Sequence, residues 1–254
     1  MSLAQHSSCA LVVGATQGIG LGFVQRMLQE QAIAQIFATY RTEEAATPLL
    51  ELAQTHPQRL MALPLDITEE AQIATLVQTL KASVDRLHWV INCAGWLHED
   101  TLQPEKSLQQ LNAEQLLRYF QVNSIGAVLL AKHLLPLLKH GDRSVLATLS
   151  AKVGSIGDNQ LGGWYGYRAS KAALNMFMKT VAIEYSRKSP QTIVTLLHPG
   201  TTDTRLSKPF QRNVPPERLF SLERTTDQLW AILNRLELSD SGQFFSWDGT
   251  VLPW

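Results

Sequence analysis

The sequence predicts an α/β fold in which a doubly wound, parallel sheet of seven strands is covered by helices on both faces. Short apolar runs alternate strictly with longer segments whose apolar residues recur at helical spacing. No internal repeat or linker interrupts this alternation. Such a chain order requires right-handed crossovers between parallel strands, because a helix must pack against the sheet after each strand. We therefore expect a Rossmann-like architecture.

The first strand, residues 9–14, is apolar and ends in a glycine, as a buried parallel strand does before a tight turn. In the helix that follows, residues 18–31, Ile19, Phe23 and Met27 lie on one face. The same criteria place the remaining strands at 35–40, 60–65, 87–92, 144–149, 192–197 and 243–246. They place the remaining helices at 43–55, 69–83, 112–138, 165–187 and 225–236.

Two helix starts carry capping signals. Asn112, followed by a glutamine three residues on, resembles a capping box, and Thr225 opens a similar pattern that ends in Gln228. Pro136 makes the last turn of the helix at 112–138 uncertain, because proline lacks a backbone N–H.

Length and composition bound the class of protein. A chain of 254 residues with 45% hydrophobic residues is long enough for one α/β domain, residues 1–254. Lys+Arg and Asp+Glu both number 22, and no run of like charge suggests a nucleic-acid partner. Cys9 and Cys93 are expected to be small core residues. The segment 1–6 lacks the pattern of a signal peptide, and no apolar run reaches the ~18 residues of a membrane helix. We expect a soluble, cytoplasmic protein.

The glycine-rich turn after the first strand predicts a dinucleotide site. Glycines let the backbone approach a pyrophosphate, and the next helix offers free N–H groups at its N-terminus. A tight strand-to-helix turn also favours glycine, which is the structural alternative. The candidate residues of this turn are Gly14, Thr16, Gln17, Gly18, Ile19 and Gly20.

The ends of the second and third strands bear on which coenzyme binds. Arg41 stands where NAD enzymes place an acid, and an arginine pairs with the 2′-phosphate of NADP. We therefore expect NADP(H) to be preferred, with NAD(H) possible. The alternative is a solvated Arg41 paired with Glu43 or Glu44. Asp66, followed by Ile67, is a candidate acceptor for the adenine amine, or a cap for the next helix.

Tyr167 and Lys171 are the strongest candidates for acid–base chemistry. Their spacing puts the phenol and the ammonium on one face of a helix, and a nearby lysine is expected to lower the pKa of a tyrosine. Ser150, at the end of the fifth strand, could polarise a substrate carbonyl or be an exposed strand-end serine. Asn123 could hold a water linked to Lys171 or be purely structural. After the fourth strand come small residues that leave room for a ribose: Asn92, Ala94 and Gly95.

In this order and at these strand ends, the motifs closely resemble the classical short-chain dehydrogenase/reductase family. The stretch 162–171 and the C-terminal residues 248–254 more narrowly resemble the branch of sniffer-type carbonyl reductases and C-factor-like proteins. The resemblance implies hydride transfer between a nicotinamide and a carbonyl or alcohol carbon. It implies that Tyr167 donates the proton and that Lys171 holds the ribose. It further implies that Ser150 binds the substrate oxygen and that Asn123 anchors a water. It also implies that the nicotinamide lies along Pro199 and Gly200, with Thr202 or Thr204 contacting its amide or the pyrophosphate.

Two features depart from the family pattern. Gln17 stands where many NADP-preferring members carry a basic residue, so the coenzyme preference rests mainly on Arg41. Ser150 lies 17 residues before Tyr167, a longer gap than is usual.

The segment 201–224 contains three prolines and no clear periodicity, and we expect it to cover the substrate. The predicted wall residues of the pocket are Leu206, Phe210, Trp96, Leu97 and Trp164. An apolar pocket suits a small aldehyde, ketone or quinone. Two alternatives remain at this point: an NAD-dependent alcohol dehydrogenase and a cofactor-binding, C-factor-like signalling protein. The family also makes a homodimer or homotetramer possible.

Overall fold

A computed structural model describes residues 8–99 and 102–254, so the segment 1–6 considered for a signal peptide lies outside the described residues. The strands of this part of the chain are β1 Ser8–Val13, β2 Ile33–Tyr40, β3 Leu60–Pro64, β4 Trp89–Asn92, β5 Ser144–Leu149, β6 Thr192–His198, β7 Thr201–Thr202, β8 Leu219–Phe220 and β9 Phe244–Ser246. Seven of them form one parallel sheet in the order β3-β2-β1-β4-β5-β6-β9. The other two, β7 and β8, pair with each other.

Helices cover both faces of the sheet, and the predicted fold class is confirmed. The helices are α1 Gly18–Leu28, α2 Thr47–Thr55, α3 Glu70–Ser83, α4 Ala113–Phe120, α5 Gly126–Leu138, α6 Tyr165–Lys188 and α7 Leu222–Arg235. One core cluster joins one face of the sheet to α1, α2 and α7 through residues such as Phe23, Leu49 and Leu229. The other joins the opposite face to α3, α5 and α6 through residues such as Ile73 and Leu174.

The helix predicted at 112–138 is interrupted. A π-helical turn, Gln121–Ile125, separates α4 from α5, and insertions of this kind are frequent at functional sites. Asn112 caps α4 by accepting the backbone N–H of Gln115 at 3.0 Å. The side chain of Gln115 bonds the carbonyl of Gln103 instead of returning to the cap, so only half of the predicted capping box forms. Pro136 lies inside α5, which still continues to Leu138.

The predicted start of the last helix was wrong. α7 begins at Leu222, and Ser221 caps it by accepting the backbone N–H of Arg224 at 3.1 Å. Thr226 instead donates its hydroxyl to the carbonyl of Leu222 within the first turn. The segment 201–224 is also more ordered than its sequence predicts, since it contains β7, β8 and two 3₁₀ turns.

The helical stretch Ala113–Leu138 is long and apolar enough to cross a membrane by length and composition alone. Half of its most apolar window is buried inside the protein, where α5 packs against α3 and α6. That packing is typical of a core helix. Cys9 and Cys93 are free thiols and are part-buried.

Candidate active site

The carboxyl ends of the central strands open into a cavity of about 440 Å³. This is the edge at which ligands bind in doubly wound sheets. The predicted coenzyme and catalytic residues that line it are Gly14, Thr16, Gln17, Gly18, Ile19, Gly20, Arg41, Asp66, Ile67, Ala94, Gly95, Ser150, Tyr167, Lys171, Pro199 and Thr204.

The glycine turn brings backbone segments closer together than a side chain at Gly14 or Gly20 would allow. Gly14 has φ +76°, and a Cβ there would lie 2.9 Å from the backbone nitrogen of Ala94. A Cβ on Gly20 would lie 2.1 Å from the carbonyl oxygen of Gly14. α1 begins within this stretch, at Gly18, and has no acidic residue in its first turn. Free N–H groups and the helix dipole there suit a diphosphate, so these residues fit a dinucleotide.

Arg41 is exposed at the end of β2 and lines the cavity. Within residues 8–99 and 102–254 it forms no ion pair with Glu43 or Glu44, so the alternative of a paired surface arginine was wrong. Of the described residues that line the cavity at this strand end, none is acidic. The guanidinium is therefore available to an anion.

Asp66 lies at the end of β3 and does not cap the helix that follows. Its Oδ1 accepts the backbone N–H of Thr68 at 2.9 Å and the Thr68 hydroxyl at 2.6 Å, whereas Glu69 occupies the N-cap position of α3. The capping alternative was therefore wrong.

Tyr167 and Lys171 lie on α6 and are almost completely buried, with 7% and 3% of their surface exposed. The Lys171 Nζ lies 5.8 Å from the centroid of the Tyr167 ring and donates to the carbonyl oxygen of Leu149 at 3.0 Å. Ser150, at the end of β5, places its Oγ 2.6 Å from Oδ1 of Asn175. The phenol, the ammonium and the hydroxyl thus meet at one end of the cavity.

The expected effect of Lys171 on Tyr167 was wrong for this arrangement. Burial raises the pKa of the Tyr167 phenol, and the neighbouring Tyr119 raises it further. Burial also lowers the pKa of Lys171 to about 8. Both shifts have the same main cause, because burial destabilises the charged form of each group. Tyr167 is therefore protonated near neutral pH, which is the state that a proton donor needs.

Asn123 lies in the π-helical turn, behind the cavity wall. Its Oδ1 accepts the backbone N–H of Trp96 at 2.7 Å, and its Nδ2 donates to the carbonyl of Trp96 at 2.9 Å and to the Ser170 hydroxyl at 3.0 Å. The side chain thereby ties the loop after β4 to α6. Its predicted role in anchoring a water through this turn stays a prediction.

Three other predicted coenzyme residues lie outside the cavity lining. Asn92 accepts the backbone N–H of Ala94 at 3.1 Å and so shapes the turn that does line it. Gly200 packs under the Phe220 ring, which a Cβ would approach to 2.6 Å. The Thr202 hydroxyl bonds the hydroxyl of Thr225 at 2.8 Å.

An aromatic cluster surrounds Tyr167 at the substrate end. The Tyr167 ring makes edge contacts with Trp164 at 6.1 Å and Tyr119 at 6.2 Å. Trp164, held at φ +52°, also contacts Phe210 of the segment 201–224 at 4.7 Å. Of the predicted wall residues, Trp96, Leu97 and Leu206 line the cavity directly.

Sequence reasoning missed the charged residues at this end. His98, Glu99 and Arg118 line the cavity, and the guanidinium of Arg118 pairs with Glu99 and lies 4.5 Å from the Trp96 ring centroid. No spacing pattern links these residues. Asn175 was also missed, although its position four residues after Lys171 on α6 was a usable signal.

The sequence model of the family described as short chain dehydrogenase matches residues 8–215. The chain belongs to this family. A 1-hydroxy-2-glutathionyl-2-methyl-3-butene dehydrogenase of Rhodococcus sp. (strain AD45) is 30% identical over 251 residues, covering 97% of this chain and 100% of that protein. A benzil reductase of Saccharomyces cerevisiae is 30% identical over 225 residues, 85% and 80% of the two chains. The C-signal of Myxococcus xanthus is 31% identical over 149 residues, 58% and 84%.

Solved structures of the short-chain dehydrogenase family superpose over nearly the whole chain. The NADPH-bound carbonyl reductase from chicken fatty liver has a TM-score of 0.86 at 29% identity, covering 98% of this chain and 99% of its own. The carbonyl reductase Sniffer of Drosophila melanogaster has a TM-score of 0.85 at 26% identity, with the same coverage. The predicted family, its sniffer-type branch and the identification as an oxidoreductase are confirmed.

Proposed function

We propose that the protein is an NADPH-dependent carbonyl reductase. The observation that carries this proposal is one continuous cavity, with Arg41 and the glycine turn at one end and Tyr167, Lys171 and Ser150 at the other. A dinucleotide bound in this cavity would reach both ends, and Arg41 is placed to pair with its 2′-phosphate. The NADPH-bound carbonyl reductase from chicken fatty liver, which shares the fold over 98% of this chain, supports the same assignment.

The coenzyme, when bound, supplies the hydride to the carbonyl carbon. The residues of this chain bind and orient the substrate and move the proton. Tyr167, kept protonated by burial, donates its phenolic proton to the carbonyl oxygen as negative charge develops there. Ser150 hydrogen-bonds the same oxygen, and Lys171 holds the nicotinamide ribose. Asn123 anchors a water that leads to Lys171.

The remaining coenzyme contacts follow the strand ends. Asp66 would accept a hydrogen bond from the adenine amine, Ala94 and Gly95 would leave room for the ribose, and Thr204 would contact the pyrophosphate. The position of all four residues in the cavity wall supports these roles. Pro199 flanks the nicotinamide. An NAD-dependent dehydrogenase is disfavoured, because Arg41 stands where an acid would bind the ribose 2′-hydroxyl.

The segment 201–224 covers the substrate, and Trp96 gives the pocket an aromatic wall that is backed by the contacting rings of Tyr119, Trp164 and Phe210. This wall suits a small aldehyde, ketone or quinone. We also propose that residues 1–254 form a single domain, that the protein is cytoplasmic and that it assembles as a homodimer or homotetramer.

Turnover of benzil by the purified protein, followed by the loss of NADPH absorbance, tests the proposal. We expect NADPH consumption with one alcohol formed per NADPH oxidised. An aliphatic aldehyde and a quinone extend the test to the other carbonyl classes. NADPH binding without turnover of any of these carbonyls would contradict the assignment and would favour a coenzyme-binding protein without this chemistry.

A further inference from the structure

Ser150 has a buried partner that the proposed chemistry does not yet include. Asn175 lies on α6, eight residues after Tyr167 and four after Lys171, so that all three side chains follow one face of the helix. Its amide lies 2.6 Å from the Ser150 Oγ, and the two residues are 3% and 4% exposed. This contact is short, water-excluded and directly behind the group that receives the substrate oxygen.

The orientation of the Asn175 amide decides what Ser150 can do. With Oδ1 towards Ser150, the hydroxyl donates its proton to Asn175, and the amide Nδ2 is left buried with no hydrogen-bond partner among the described residues. A half turn of the amide exchanges its oxygen and nitrogen with almost no change in shape. Nδ2 then donates to Ser150, and the atom left without a partner is an oxygen. Buried oxygens tolerate this better than buried N–H groups.

A serine hydroxyl has one proton to donate. If that proton is given to Asn175, Ser150 can only accept a hydrogen bond, and it has nothing to offer a developing oxyanion. If Asn175 donates instead, the Ser150 proton is free to point into the cavity that Ser150 lines. Only the second arrangement agrees with carbonyl reduction.

We propose that Asn175 is a positioning residue whose amide N–H donates to Ser150 and so directs the Ser150 hydroxyl towards the substrate carbonyl oxygen. Asn175 touches neither substrate nor coenzyme and acts only through Ser150. This inference rests on the proposed carbonyl reductase function.

The variant Asn175→Leu, of similar size, removes the donor. We expect kcat for benzil reduction to fall about tenfold to a hundredfold. Removing an oxyanion donor itself costs about 10²–10³-fold in kcat, and the loss of a residue that only orients the donor should not exceed that. The dissociation constant of NADPH should stay unchanged. If Ser150 instead donates to Asn175, the substitution releases the hydroxyl, and kcat would stay the same or rise. That result would overturn the proposal.

A double-mutant cycle with Ser150→Ala separates positioning from a general structural role. Because Asn175 acts through Ser150, Asn175→Leu should cause no further loss of kcat once Ser150 is alanine. Losses that multiply in the double variant would contradict the proposal. Asn234→Leu is the matched control, since Asn234 lies on α7 and its amide donates to the Trp230 carbonyl at 2.9 Å, outside the cavity lining.

Two measurements keep the outcomes distinct. Thermal unfolding of each variant shows whether it folds. If Asn175→Leu does not fold, Asn175→Ala takes its place in the same double-mutant cycle. Absence of reduction of benzil, of an aliphatic aldehyde and of a quinone by the unmodified protein, or full activity of Ser150→Ala, would contradict the proposed function itself. Full activity of Asn175→Leu and Asn175→Ala beside an impaired Ser150→Ala would contradict only the role of Asn175.

Discussion

The two ends of the cavity are built in different ways. At the coenzyme end, β1, β2 and β3 stop at one edge of the sheet, and short turns carry Gly14, Arg41 and Asp66 directly from those strands. At the substrate end, the wall comes from the loop after β4 and the segment 201–224, and Trp164 of the loop before α6 packs against Tyr167 and Phe210. Strand ends place side chains by topology, whereas loops place them by contacts between distant segments. The first end is therefore suited to a fixed ligand and the second to variation in substrate.

The largest expected effect separates chemistry from coenzyme binding. Tyr167→Phe removes the phenolic proton but keeps the ring that packs against Trp164 and Tyr119. We expect kcat for benzil reduction to fall by about 10²–10⁴-fold, the usual contribution of general acid catalysis. NADPH affinity, measured by tryptophan fluorescence, should be retained.

Tyr165→Phe is the matched control for this substitution. Tyr165 lies two residues earlier at the start of α6, is 38% exposed and does not line the cavity. Its variant should reduce benzil at the original rate. Equal losses in the two variants would show that Tyr167 has no special role in proton transfer.

A smaller effect should be confined to the substrate end. Phe210→Ala removes the ring contacts to Trp164 and His98 that hold the segment 201–224 against the pocket. Since an aromatic contact is worth about 0.5–1.5 kcal/mol, we expect KM for benzil to rise by up to about tenfold. Steady-state kinetics would measure this rise, with NADPH affinity unchanged.

Phe177→Ala tests whether the loss of any aromatic ring has the same effect. Phe177 is 37% exposed on α6 and lies outside the cavity lining, so its removal should leave KM unchanged. A change in NADPH affinity in Phe210→Ala would mean that the two ends of the cavity are not separable.

The sequence was sufficient for the sheet and for most of the coenzyme end. Strand–helix alternation specifies a parallel sheet, and a residue that follows a strand such as β2 must lie at its carboxyl edge, which is why Arg41 and Asp66 could be predicted to line the site. Arg118 could not, because it reaches the cavity through a contact with Trp96 that no local pattern encodes. The direction in which the pKa of Tyr167 shifts could not be predicted either, because it depends on the burial of the side chain.

The start of α7 at Leu222 and the interruption by the π-helical turn Gln121–Ile125 were missed for related reasons. Ser221 is one of several serines and threonines in that region, and the one that serves as the cap is selected by the packing of α7 on α1. The π-helical turn accompanies the hydrogen bonds of Asn123 to Trp96, which join segments 27 residues apart.

The central claim is that one cavity binds NADPH at Arg41 and reduces a carbonyl at Tyr167, and a paired coenzyme titration tests it most directly. NADPH and NADH are titrated into the unmodified protein and into Arg41→Ala, with tryptophan fluorescence as the signal. We expect tighter binding of NADPH than of NADH, and a loss of about tenfold or more in NADPH affinity alone when Arg41 is removed, since hydrogen bonds to charged groups are worth about 1.5–3 kcal/mol. Equal affinities for both coenzymes, unchanged in Arg41→Ala, would contradict the account.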